Sequence, residues 1–240
     1  MNIERSADHH YTYEGQTYPG VTSILKVIDK SGPLMAWAAR QTAEAAVALM
    51  DTMPELYKTV GPEGIVKALT SRSSWKRDEA AALGTEIHAL ADLVNRGEPT
   101  PPIPESSRSH VLKYAEWWRA SGWKLRASEA MLVNVRMGYG GTIDLLARDA
   151  DKRTVLADIK TGRLVYHEAV LQLAAYGMAE VIEVGGEIFK MPAPDRFVIL
   201  HVTKDGVREV ELTIGSLDRE AFAGCLKLNE WQQSMKGRDL

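Results

Sequence analysis

Cysteine is nearly absent from this chain of 240 residues; Cys225 is the only one. A single thiol cannot build a disulfide framework, nor a cysteine-bound zinc or iron–sulfur site within the chain. A reducing compartment is therefore the simplest home. No apolar run approaches the length that crosses a bilayer, and the opening segment MNIERSADHHYTYEGQTYPG lacks the apolar core of a signal peptide. The expectation is a cytoplasmic protein, bacterial or phage-encoded, with no membrane partner. Positive charge is not in excess either: the net charge is -3 and the pI about 6.1. That excludes a protein that coats nucleic acid through a global basic field, and leaves room for a local basic cleft. The lack of internal repeats and low-complexity tracts excludes solenoids and flexible tails.

What is present is an ordinary globular composition, 45% hydrophobic and 25% charged, so one domain over 1–240 is expected. Residues 1–97 read as mainly helical. Pro33 suits a helix start before LMAWAARQTAEAAVALM, and a second helix is expected from Trp75 to Arg96, with Leu83, Ile87, Leu90 and Val94 at helical spacing. Gly97 and Pro99 stop it, and the Pro- and Ser-rich stretch EPTPPIPESSRS is the best boundary. A short helix through HVLKYAEWWRASG follows.

The periodicity then changes. Over 125–215, Glu129–Val135, Thr142–Arg148 and Thr154–Lys160 alternate and are separated by the turns MGYGG and DADK, which predicts an antiparallel meander. A helix from His167 to about Glu183 leads to the dense strand Phe197–Thr203. This is the pattern of a crossover that lays the last strand parallel to the third. Asp205 and Gly206 mark a hairpin, and a helix around Arg219–Gln233, in 216–240, closes the chain. The fold class is α/β with a mixed sheet.

Several charged residues break the strand pattern. Asp158 and Lys160, two apart, share one face of a strand whose Val155, Ala157 and Ile159 face the core. The DADK hairpin brings Asp144 beside Asp158. Two close carboxylates repel, and a divalent cation with oxygen ligands resolves the conflict. A surface ion pair on an edge strand explains the D-x-K triplet equally well when it is taken alone. On the second helix Gly84, His88 and Asp92 lie one turn apart beside the apolar stripe. On the later helix Gln172 and Tyr176 share a face with Glu168.

Four segments in this order, GTEIH (84–88), GGTID (140–144), LADIKTG (156–162) and QLAAYG (172–177), resemble the PD-(D/E)XK nuclease superfamily. The likeness is closest to its RecB-like exonuclease branch, which includes phage exonucleases, CRISPR-associated nucleases and the mitochondrial genome maintenance exonuclease. YPGVTSIL (18–25) also looks like the opening segment of some members.

The resemblance implies a restriction-endonuclease-like core and a DNA exonuclease that hydrolyses phosphodiester bonds with Mg²⁺ or Mn²⁺, one ion or two. By resemblance, Asp144 and Asp158 bind metal, with the Ile159 carbonyl and His88 completing the shell. Lys160 orients the attacking water or stabilises phosphoryl charge, and Gln172 and Tyr176 position the strand or the lysine. Glu129 matches a carboxylate of the first strand, on a face with Met131 and Val133.

With one cysteine, the iron–sulfur cluster of some members is excluded. With no helicase motif, the substrate is single-stranded or end-containing DNA, or else a partner such as a recombinase or single-strand-binding protein opens the duplex. The oligomeric state is open. Arg72, Lys76, Arg77 and Arg163 suit phosphate contacts or solvated surface charge alike. Trp75, Trp117, Trp118 and Trp123 suit base stacking or core. Two other functions fit the same residues: a structure-specific endonuclease, and a non-catalytic DNA-binding accessory module in recombination.

Overall fold

The structure, a computed structural model, describes residues 2–162 and 167–236. The chain divides into two compact units, one made of Met1–Ile28 with Glu86–Leu240 and the other of Asp29–Thr85. The Pro- and Ser-rich stretch, expected as a boundary, instead links two helices within the first unit.

The first unit opens with a three-stranded antiparallel sheet, β1 (Glu4–Arg5), β2 (His10–Tyr13) and β3 (Gln16–Pro19), where a helical start was expected. The physical reason is local. Glu14 and Gly15 both take positive φ, +49° and +76°, which makes the two-residue turn that tight hairpins use. Tyr11 and Tyr13 alternate inward and join Ile3, Tyr18 and Val133 in a small apolar cluster. Helix α1 (Val21–Ile24) and a 3₁₀ turn (Leu25–Val27) follow, and place Val21, Ile24 and Leu25 in the main core.

Helix α2 (Ser31–Ala48) precedes helix α3 (Met53–Arg96), which is interrupted at Gly61 (φ +67°) just before Pro62 and contributes its last turns to the first unit. Gly97, at φ +69°, ends α3 in the left-handed conformation that glycine adopts without steric cost. Helix α4 is Glu105–Ser121. A buried hydrogen bond from Tyr114 Oη to Asn95 Oδ1 (2.8 Å) ties it to α3.

The rest of the first unit is β4 (Lys124–Asn134), β5 (Tyr139–Arg148), β6 (Thr154–Lys160), α5 (Glu168–Gly177), β7 (Val181–Val184), β8 (Glu187–Lys190), β9 (Arg196–Thr203), β10 (Gly206–Leu212) and α6 (Ser216–Met235). The strands form one seven-stranded mixed sheet in the order β10-β9-β6-β5-β4-β7-β8. β4, β5 and β6 are an antiparallel meander, and β9 runs parallel to β6 after the α5 crossover.

Three expected boundaries shift. Gly140 and Gly141 lie inside β5 rather than in the turn, which ends at Gly138 (φ +78°). The helix after β6 stops at Gly177, and Val181, expected on its buried side, starts a β7–β8 hairpin turned by Gly185 and Gly186, both at positive φ. Strand β6 is buried on both faces: Leu156 sits in the main core beside Tyr139, Ile143, Leu173 and Phe222, so the face shared by Asp158 and Lys160 is core as well.

Helices α1, α5 and α6 pack together, and Tyr139 meets Phe222 edge to face at 4.9 Å between ring centroids. Three of the tryptophans are packing residues. Trp117 lies against Tyr114, Trp118 and Trp123 and donates to Glu209, and Trp123 is buried. Among the described residues no helix is long and apolar enough to cross a membrane.

In the second unit, Gln41 is the one buried side chain, while Leu34, Met35, Trp37 and Trp75 are exposed. Three of the candidate phosphate-binding residues lie here with neighbours of their own. Arg72 stacks over Trp75 at 5.7 Å, Lys76 is 3.9 Å from Glu44, and Arg77 pairs with Asp78 at 3.0 Å.

Candidate metal centre

The site forms where two strands part. Leu145 faces Ala157 across β5 and β6, and the next pair in register would be Asp144 and Asp158. There the main-chain ladder ends. Asp144 Oδ2 instead accepts the Ile159 N–H at 2.6 Å, so a side chain takes over one backbone bond and holds the carboxylate between the strands. Ile159 was expected to contribute its carbonyl to a metal; the contact present is made by its N–H. On its other side β6 stays paired with β9 through Lys160 opposite His201, and His201 Nε2 lies 2.7 Å from the Gly162 carbonyl.

Asp158 is the anomaly of the molecule. Its residue is 1% exposed, yet neither carboxylate oxygen has an aligned hydrogen bond among the described residues. Lys160 Nζ lies 2.7 Å from Oδ2 as an ion pair, and Oδ1 has no hydrogen-bond partner among the described residues. Burying a carboxylate costs several kcal/mol, which an ion pair repays only when the remaining lone pairs are also satisfied. Burial first, and then the neighbouring Asp144 charge, push the Asp158 carboxyl up to about 6, with Lys160 and His88 pulling the other way.

The other donors converge from α3 and β4. His88 Nδ1 is 3.5 Å from Asp144 Oδ1 and 3.9 Å from Glu129 Oε1. One ligand atom from each of His88, Glu129 and Asp144 can be enclosed within 4.8 Å. Burial disfavours the charged imidazole of His88, but the hydrogen bond and charge of Asp144, with Asp158 and Glu129 behind it, raise its pKa overall. Burial likewise opposes ionisation of Asp144, and there His88, Lys160 and the Ile159 N–H prevail and hold the carboxyl below the usual range. Glu129 is lifted to about 7, by burial first and Asp144 second.

A third arm comes from α5. Lys160 Nζ donates to Gln172 Oε1 at 3.4 Å, and Gln172 Nε2 donates to the Tyr176 hydroxyl at 3.1 Å. Gly141 makes room for this chain, since a Cβ there would lie 2.5 Å from the Tyr176 ring. Gly140 does the same for Tyr11, whose hydroxyl is 2.9 Å from Thr142 Oγ1. The two glycines of GGTID, four and three residues before Asp144, therefore seat one tyrosine each.

Seven of the expected residues, His88, Glu129, Asp144, Asp158, Lys160, Gln172 and Tyr176, are thus linked through contacts or shared charge. Arg72, Lys76 and Arg77 belong to the second unit, and Arg163 lies outside the described residues. Periodicity did not single out Tyr11, which sat in a segment expected to be helical and whose hydroxyl meets Thr142 on the strand that carries Asp144. A scan against family models found no match, and a search of curated proteins found none.

The donor set fits a hard or borderline divalent cation. Carboxylate oxygens with one imidazole suit Mg²⁺ and Mn²⁺. Asp158 Oδ1, without a hydrogen-bond partner among the described residues, is a buried polar atom that a cation would satisfy.

Proposed function

We propose that this chain is a Mg²⁺- or Mn²⁺-dependent DNA exonuclease of RecB-like type, built on a restriction-endonuclease-like core. The observation that carries the reading is Asp158, a sealed carboxylate without an aligned partner, next to Asp144 and on the same strand face as a lysine. A structural ion pair has no need of the second carboxylate, whose repulsion raises the cost of burial.

Asp144 and Asp158 would hold the cation, with His88 and Glu129 as the adjoining donors. Bound there, one or two such ions would neutralise phosphate charge and lower the pKa of a water. The protein's own groups do the rest. Lys160 stays protonated, because Asp158 and Asp144 outweigh the desolvation that would discharge it. Its ammonium is a fixed donor for charge that develops on the phosphoryl oxygens. Gln172 orients that ammonium, Tyr176 orients Gln172, and Gly141 lets Tyr176 lie against the strand. The substrate is single-stranded or end-containing DNA in recombination, repair or replication, and a recombinase or single-strand-binding protein is the fitting partner.

The test is digestion, in Mn²⁺, of a linear strand and of a covalently closed circle of the same sequence. Loss of the linear strand with the circle intact is the expected result. Cleavage of the circle would make the protein an endonuclease. Survival of both would refute hydrolysis and favour the accessory-module alternative.

A further inference from the structure

We propose that Asp92, acting through Ser128 and with Arg96, is a positioning residue that fixes Glu129 in the metal site. The inference rests on the metal-site reading and adds to it the device that sets the spacing of two donors.

Asp92 lies one helical turn beyond His88 on α3. Its Oδ1 accepts from the Ser128 hydroxyl on β4 and from Arg96 Nε at 2.9 Å, while Arg96 Nη2 donates to the Ser128 carbonyl at 3.4 Å. One turn of helix therefore grips both the side chain and the main chain of Ser128, which is itself buried.

The residue after this grip is the irregular one. Glu129 has φ +47°, inside a strand whose neighbouring pairs, Ser128 with Leu145 and Ala130 with Ile143, keep register. For a residue other than glycine that conformation costs about 1–2 kcal/mol, and it persists only where the surroundings over-determine it. By the register of those flanking pairs, Glu129 stands opposite Asp144 on β5. Held in this conformation, its carboxylate lies 3.9 Å from His88 Nδ1. Release of Ser128 removes what holds the left-handed turn, and an extended backbone at Glu129 re-aims the carboxylate.

The same helix turn thus carries one donor and the clamp on the other. Outer partners of this kind typically change metal affinity by about 10- to 100-fold when removed. The alternative, that Asp92 acts only through its charge on Glu129, is separable, because Ser128→Ala breaks the grip without altering charge.

The experiment is a calorimetric titration of the full chain with Mn²⁺ alone, for the parent, Ser128→Ala, Ser128→Thr and Asp92→Asn, with thermal unfolding of each metal-free protein alongside. Ser128→Ala is expected to bind Mn²⁺ about tenfold more weakly or worse. Ser128→Thr, which keeps the hydroxyl, is expected to bind as the parent does, and Asp92→Asn, which keeps the acceptor oxygen, to fall between them. Parental affinity in Ser128→Ala would overturn the positioning role, as would equal weakening in Ser128→Ala and Ser128→Thr. Should Ser128→Ala not fold, weaker binding in a folded Asp92→Asn supports the role and parental binding in it overturns it. Absence of Mn²⁺ binding in the parent would overturn the metal site itself, and the positioning role with it.

Discussion

Lys160→Met is expected to slow hydrolysis of linear DNA in Mn²⁺ by at least about 100-fold, the loss typical when one preorganised donor to a transition state is removed. Methionine keeps much of the length and apolar stem of lysine and deletes the ammonium that lies 2.7 Å from Asp158. The substitution should leave Mn²⁺ binding in place, because Lys160 is not a donor to the metal. It also strips Asp158 of its ion-pair partner. The metal-free variant should unfold at lower temperature than the metal-free parent, and saturating Mn²⁺ should restore more of that loss in the variant. Parental turnover in Lys160→Met would remove the lysine from the mechanism.

The second large effect is on pH. In the metal-free protein the Asp158 carboxyl is raised to about 6 and Glu129 to about 7, and His88 is raised as well. All three therefore hold more protons at pH 6 than at pH 8. A cation binds only the deprotonated forms, so binding must expel those protons. The sign follows: Mn²⁺ affinity falls as pH is lowered from 8 to 6, by roughly 10- to 100-fold if on average about half to one proton is displaced over that range. Calorimetry in two buffers of different ionisation enthalpy counts the released protons directly. An affinity that does not change between pH 6 and 8 would place the cation elsewhere.

How much of this was legible in the sequence differs from element to element. The meander, the crossover helix and the parallel strand follow from alternation, turn residues and loop lengths, and these features are local. The β2–β3 hairpin was equally local, with Glu14 and Gly15 as its turn, but the helix-forming stretch beyond Pro33 dominated the reading of 1–97. The β7–β8 hairpin was hidden for a related reason: VIEV continues the apolar spacing of α5, and only the Gly185–Gly186 pair distinguishes a strand from a longer helix.

The site residues were legible as charges in apolar surroundings, yet their geometry was not. Alternation placed Glu129 on a face with Met131 and Val133, and no pattern in KLRASEAMLVN announces a left-handed residue in mid-strand. That conformation depends on Asp92 and Arg96, more than thirty residues earlier in the chain. Similarly, nothing local says that the Asp158 face of β6 is covered. Leu156 is core because α5 and α6 pack over it, a tertiary fact.

The central claim is that this cluster hydrolyses DNA with a divalent cation, and one comparison tests it most directly. End-labelled linear DNA is incubated in Mn²⁺ with the parent and with Asp144→Asn, which retains the shape of the side chain that accepts the Ile159 N–H. A metal-site nuclease predicts steady release of label by the parent and at least about a 100-fold slower release by Asp144→Asn. Equal release by the two proteins, or none by the parent, would contradict it.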